Sequence, residues 1–158
     1  MRPTPSHRAR TMSSPNPGFD PAQDCGMLLA HGHPGWLGMQ YADHGEDWVA
    51  LELPWRDDLI GEADRPIIAS GPIVSLMDMA SGLAIWTTAQ AFHAVATLDL
   101  RVDYMRPARE RTAVFGRSQC YRLTRSAAFV RGVAHDGDPD DPVAHIAGCF
   151  MTLPGIKR

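Results

Sequence analysis

The chain has 158 residues, 44% of them hydrophobic and 21% charged, a length that fits one domain with a core of its own. Its three cysteines (Cys25, Cys120 and Cys149) lack metal-type spacing, which excludes a disulfide scaffold and points to a reducing compartment, the cytoplasm. The net charge of −3 hides a split, −10 over residues 20–100 and +6 over residues 101–131, and a basic segment this short suits a small anionic ligand better than a nucleic acid.

Residues 1–24 read as a loosely ordered tail, because prolines at 3, 5, 15, 17 and 21 stand among Ser, Thr and Arg and such a segment has too little apolar surface to offset the cost of ordering. The tail lacks the apolar stretch of a secretory signal, and Met12 is a second possible start. Residues 25–158 form the predicted single domain. No apolar run reaches the ~18 residues of a membrane helix, so no membrane partner is expected.

Two β-prone runs, Trp36–Tyr41 and Trp48–Leu53, flank the polar segment 42–47 and predict a hairpin. Residues 54–66 hold Pro54, Gly61 and Pro66 and read as a loop. The next stretch is distinctive. Ile73, Leu76, Met77, Ala80, Leu83, Ala84 and Trp86 recur at helical spacing, with Met79 and Ile85 on the other sides. A helix apolar nearly all round is buried, and Pro72 near its start predicts a span of about 72–90. From Thr97 to Tyr104 polar and apolar residues alternate with period two, a strand. Three more β-prone runs follow at 112–123, 126–136 and 142–153, the last two separated by the turn-rich segment from His135 to Pro142. Strands without βαβ alternation make an antiparallel sheet. The predicted class is α+β, a sheet curled around one long buried helix.

His93 aside, Asp78 is the only acidic or basic side chain between Pro66 and Leu98. A carboxylate on an apolar helix needs partners, since an unpaired buried charge costs several kcal/mol; it is either a structural acceptor or a catalytic group. Ser70 and Gly71 stand where the helix begins, with backbone N–H groups free of intrahelical partners. His31 and His33 are spaced H-x-H with only Cys25 near, too few for zinc. They read as loop residues, and no metal or cofactor is expected.

The segments Ser70-Gly71-Pro72-Ile73-Val74-Ser75-Leu76-Met77-Asp78 and Ala96-Thr97-Leu98-Asp99-Leu100-Arg101-Val102-Asp103-Tyr104-Met105-Arg106-Pro107-Ala108 resemble the hotdog-fold acyl-CoA thioesterases, in particular the phenylacetate-pathway-like subgroup. The resemblance runs from about Trp36 to Leu153. In that family a His-Gly-Gly motif opens the helix and a carboxylate follows nine residues after the His. Here the corresponding positions are Ala69, Ser70 and Gly71, with Asp78 as the carboxylate. The resemblance implies a hotdog fold and hydrolysis of an acyl-CoA thioester, with Asp78 as nucleophile or general base. It implies an oxyanion site at the Ser70 and Gly71 amides. It assigns Thr97, supplied by the partner subunit, to orient water or hold Asp78, and it implies a homodimer or homotetramer with a shared site. Arg106 and Arg125, at a strand end and a turn, suit the phosphates of coenzyme A. Met77, Met79, Trp86 and Met105 are candidates for lining an apolar pocket. The absent His motivates the alternative of a non-catalytic acyl-CoA or lipid-binding module on the same fold.

Overall fold

The computed structural model describes residues 18–153. Most of the expected tail lies outside that range, but its last residues are helical. Helix α1 spans Pro21–Leu29, capped by Asp20, whose side chain accepts from the Ala22 N–H at 3.0 Å. Pro21 stands in the first turn, where its missing N–H is no loss, and Phe19 just ahead is buried edge-on against Trp86 and Phe92. Helix α1 therefore begins within the segment read as tail, ahead of residue 25.

The first strand run is also divided differently from expectation. Helix α2 covers Gly32–Leu37 and takes in Trp36. It ends at Gly38, whose φ of 74° turns the chain back so that its N–H donates to the Gly35 carbonyl and the Met39 N–H to the Pro34 carbonyl, each at 3.0 Å. Strand β1 begins at Gln40 and runs to His44, pairing with β2, Trp48–Leu53. The segment read as a loop holds a 3-10 turn at Asp57–Leu59 and a small hairpin of β3 (Ile60–Glu62) and β4 (Arg65–Ile68).

Helix α3 spans Ser70–Ala89 and starts two residues ahead of Pro72, because a proline is tolerated throughout the first turn. Four long strands follow, β5 (Ala94–Tyr104), β6 (Val114–Leu123), β7 (Ala127–His135) and β8 (Ala144–Leu153). The main sheet has the order β1-β2-β6-β7-β8-β5 with every neighbour antiparallel. Helix α3 lies across its inner face, against β2, β6 and β7. This is the hotdog arrangement of one long helix packed against a mostly antiparallel sheet.

Glycines set the depth of that packing. A Cβ on Gly116 would stand 2.7 Å from the Met77 sulfur, and one on Gly132 would stand 2.4 Å from the Arg117 carbonyl oxygen. The fully buried Met77 therefore seats over two bare backbone positions. Leu76, Met77, Ala80, Ala84 and Ile85 of α3 meet Val49, Leu51, Val114 and Val130 in the core. Among the described residues no helix is long and apolar enough to cross a membrane.

Candidate active site

Asp78 sits on α3, half-buried, and its Oδ1 accepts a hydrogen bond of 2.7 Å from Thr97 Oγ1 on β5. Strict alternation would put Thr97 on the outer face with Asp99, Arg101 and Asp103. A bulge intervenes. Thr97 pairs with Phe150 but Asp99 pairs with the adjacent Cys149, so Leu98 has no partner of its own. The bulge turns Thr97 onto the helix side, where it shares a cavity with Leu100. The exposed Leu98 is the residue given up to solvent. Thr97 thus reaches Asp78 within one chain, whereas the resemblance implied a hydroxyl from the partner subunit.

Two cavities meet at this pair. One, of about 460 Å³, is lined by His33, Met39, Val74, Ser75 and Leu100 together with Asp78, Met79 and Thr97. The other, of about 150 Å³, runs the opposite way along α3, past Gly82, Leu83 and Trp86 to Val95 and Phe150. Their walls are mainly apolar and the carboxylate stands at the junction. Of the four pocket candidates, Met79 and Trp86 do line these cavities. Met77 is fully buried in the core and Met105 is exposed on the surface.

Ser70 and Gly71 open α3 as expected, and their N-cap, Ala69, offers no side-chain acceptor to the first amides. Ser70 borders a separate cavity of about 290 Å³ with Gly61, Arg65 and Pro107. Its carbonyl accepts from the Tyr104 hydroxyl at 3.0 Å. At a rise of about 1.5 Å per residue, Gly71 lies about 10 Å from Asp78 along the axis. One chain therefore does not bring the helix-start amides and the carboxylate together.

Arg106 is committed to the protein itself. It makes a two-pronged pair with Asp136, Nη2 to Oδ1 at 2.7 Å and Nη1 to Oδ2 at 2.8 Å. It also donates to the carbonyls of Pro107 and Asp141 and lies 3.1 Å from an Asp141 carboxylate oxygen. The Asp136 side chain is fully buried and accepts from the Arg109 N–H as well. The Arg106 guanidinium, then the Arg109 amide, hold its carboxyl down at about 2 despite burial. Its Nη hydrogens are spent on these partners and its Nε is buried without a hydrogen bond, which gives Arg106 a structural role in place of the expected phosphate-binding one. Arg125 is exposed in the turn between β6 and β7, and among the described residues no ion pair involves it.

Sequence reasoning missed His33 and Ser75. His33 is on α2, and its Nε2 lies 3.0 Å from Ser75 Oγ, one turn before Asp78 on α3. The available signals were faint: a His three residues before Trp36, now ring-stacked on it at 6.1 Å, and a Ser three residues before the lone Asp. Among the described residues no three His, Cys, Asp or Glu side chains gather as a metal-ligand set.

Residues 67–143 match the thioesterase superfamily. A Halobacterium salinarum protein described as a candidate esterase is 35% identical over 103 residues, and the alignment takes in 58% of this chain and 66% of that relative, just under two thirds of its length. A crystal structure of a Pseudomonas aeruginosa protein is 36% identical with a TM-score of 0.72, over 80% of this chain and 93% of the other. Two more distant structures share the fold. The PaaI protein of the Escherichia coli phenylacetic acid degradation operon has 14% identity and a TM-score of 0.72, over 85% of this chain and 93% of its own. A Streptococcus mutans protein bound to acetyl-CoA has 16% identity and a TM-score of 0.65, over 75% and 91%.

Proposed function

The chain belongs to the thioesterase superfamily, and from that membership we propose that it hydrolyses an acyl-CoA thioester to the free acid and coenzyme A, in the manner of the PaaI-like subgroup. The observation that carries this reading is the Asp78 carboxylate, oriented by Thr97 at the junction of two apolar cavities. Thr97 occupies Oδ1, which leaves Oδ2 for the chemistry. In the general-base route Oδ2 takes a proton from water as the water oxygen attacks the thioester carbonyl. In the nucleophilic route Oδ2 attacks the carbonyl itself, and water then cleaves the mixed anhydride. Either way the C–S bond breaks and coenzyme A leaves as its thiolate. The acetyl-CoA held by the Streptococcus mutans protein of the same fold supports a coenzyme A ester as substrate.

The oxyanion needs donors, and the amides of Ser70 and Gly71 are the ones the helix start leaves open. They lie too far from Asp78 of their own chain, so the working site takes the α3 start from a second copy. Strand β5 is a sheet edge of 11 residues bearing the exposed Leu98 and Tyr104, a surface that a second copy would cover. We therefore propose a homodimer or a dimer of dimers. Three free cysteines fit the cytoplasm; burial, and then Asp24 and Asp20, push the Cys25 thiol up to about 12, which keeps it unreactive.

The test is thiol release from a panel of short, medium, long and aromatic acyl-CoA esters, run on wild type and Asp78→Asn. Turnover that disappears in the variant supports the reading. Saturable binding without turnover in either protein would replace it with a non-catalytic acyl-CoA-binding role.

A further inference from the structure

Helix α3 carries four hydroxyl side chains beyond its first residue, and three of them fold back on the helix. Ser81, Thr87 and Thr88 each donate to the carbonyl four residues earlier, at 2.7–2.8 Å, the usual resting place of a helical hydroxyl. Ser75 differs, because its Oγ meets His33 Nε2 across from α2 at 3.0 Å. Both side chains line the 460 Å³ cavity that holds Asp78. Apart from Asp78 and Thr97 they are its only polar side chains; the remaining wall is Pro34, Met39, Val74, Met79 and Leu100.

We propose that His33 and Ser75 form a subsite for a hydroxyl on the third carbon of the acyl chain, so that the preferred substrates are 3-hydroxyacyl thioesters. This rests on the thioesterase reading above and deepens it. Position follows from helix geometry. Residues three apart on a helix have Cβ atoms about 5–6 Å from one another, and a hydroxyl on the third carbon lies about 3–4 Å from the carbonyl carbon at C–C bonds of about 1.5 Å. A carbonyl held at Asp78 therefore presents that hydroxyl to Ser75.

Hydrogen-bonding capacity selects the group. A serine hydroxyl and a neutral imidazole together hold two donors and three acceptor sites. Their mutual bond uses one of each, so a donor and acceptors remain. A hydroxyl, donor and acceptor at once, completes both. A carboxylate substituent has no hydrogen to give and would stand one turn from the Asp78 charge.

The experiment pairs 3-hydroxybutyryl-CoA with butyryl-CoA and 3-hydroxyoctanoyl-CoA with octanoyl-CoA. Wild type should favour the hydroxylated member of at least one pair about tenfold in kcat/KM, the size of one well-made hydrogen bond. Ser75→Ala and His33→Phe should bring that ratio to about one, and His33→Gln, which keeps a donor and an acceptor, should restore part of it. If His33 and Ser75 only tie α2 to α3, the variants lower both members equally, and that result overturns the proposal. Dissociation constants measured by calorimetry on Asp78→Asn should show the same preference. Should wild type hydrolyse no member of either pair, the thioesterase reading fails for these substrates, and the binding ratio alone still decides the subsite. A binding ratio near one with no preference in turnover sinks it.

Discussion

Thr97 Oγ1 donates to Asp78 Oδ1 at 2.7 Å, from the middle of an edge strand to the middle of the buried helix. The bond depends on a single unpaired residue, Leu98, since without the bulge Thr97 would lie on the sheet face away from α3. It orients the carboxylate that the proposed chemistry uses. Asp78→Asn should lower kcat at least a thousandfold with the fold intact by circular dichroism. Thr97→Val keeps the shape and removes the donor. It should cost about 10–100-fold in kcat, the range of one orienting hydrogen bond in a site of this kind. Unchanged kcat in Thr97→Val would show that the hydroxyl is decorative.

The Arg106–Asp136 pair makes stability depend on acid. The Asp136 carboxyl sits at about 2 in the folded chain, against about 3.9 in an unfolded one. Between those values the unfolded state binds more protons, so stability rises with pH through the window from about 2 to 4. Above that window the contribution is fully present, and it is lost as the pH falls through about 2. Asp136→Asn should flatten the denaturation midpoint over this range in urea titrations at stepped pH. Arg106→Ala leaves a fully buried carboxylate without its main partner and should destabilise by about 3 kcal/mol at neutral pH.

Helix α3 lies as deep as Gly116 and Gly132 allow. Gly132→Ala sets a Cβ against the Arg117 carbonyl oxygen and the Ser118 hydroxyl, which are backbone and core atoms with little room to yield. It should cost about 2 kcal/mol or more, seen as a lower thermal midpoint. Gly116→Ala meets only the flexible side chains of Met77 and Leu76, and should cost less. Equal losses at the two positions would mean that the strand backbone moves as easily as the methionine.

The large features were legible because their signals are periodic. An apolar helix with one charge and strands with period-two alternation specify themselves, and Asp78 stood out because nothing near it is charged. The local errors have local causes. Gly38 ends a short helix through Trp36 that β-propensity alone would read as strand. A one-residue bulge reverses the facing of Thr97, which no alternation count reveals. Arg106 looked like a free cation because its partner, Asp136, is 30 residues away in sequence. His33 and Ser75 are 42 apart, and pairing over such distances comes from the fold alone.

The distance between the α3 start and Asp78 yields a test of assembly. If each site joins the Ser70 and Gly71 amides of one copy to Asp78 of another, two inactive variants should rescue each other. Asp78→Asn removes the carboxylate. Ser70→Pro removes one amide at the first helical position, where proline is well tolerated. Ala69 before it has φ −63° and ψ 160°, the extended backbone that precedes proline without strain. In a mixed dimer one site inherits both defects and the other inherits neither. Random re-association of equal amounts makes half the dimers mixed, so activity per site should return to roughly a quarter of wild type. Sites built within single chains give no rescue at any mixing ratio. The readout is thiol release after co-refolding, with each variant alone as its own baseline. Rescue would place the oxyanion donors across the interface, and its absence would require donors other than the α3 start.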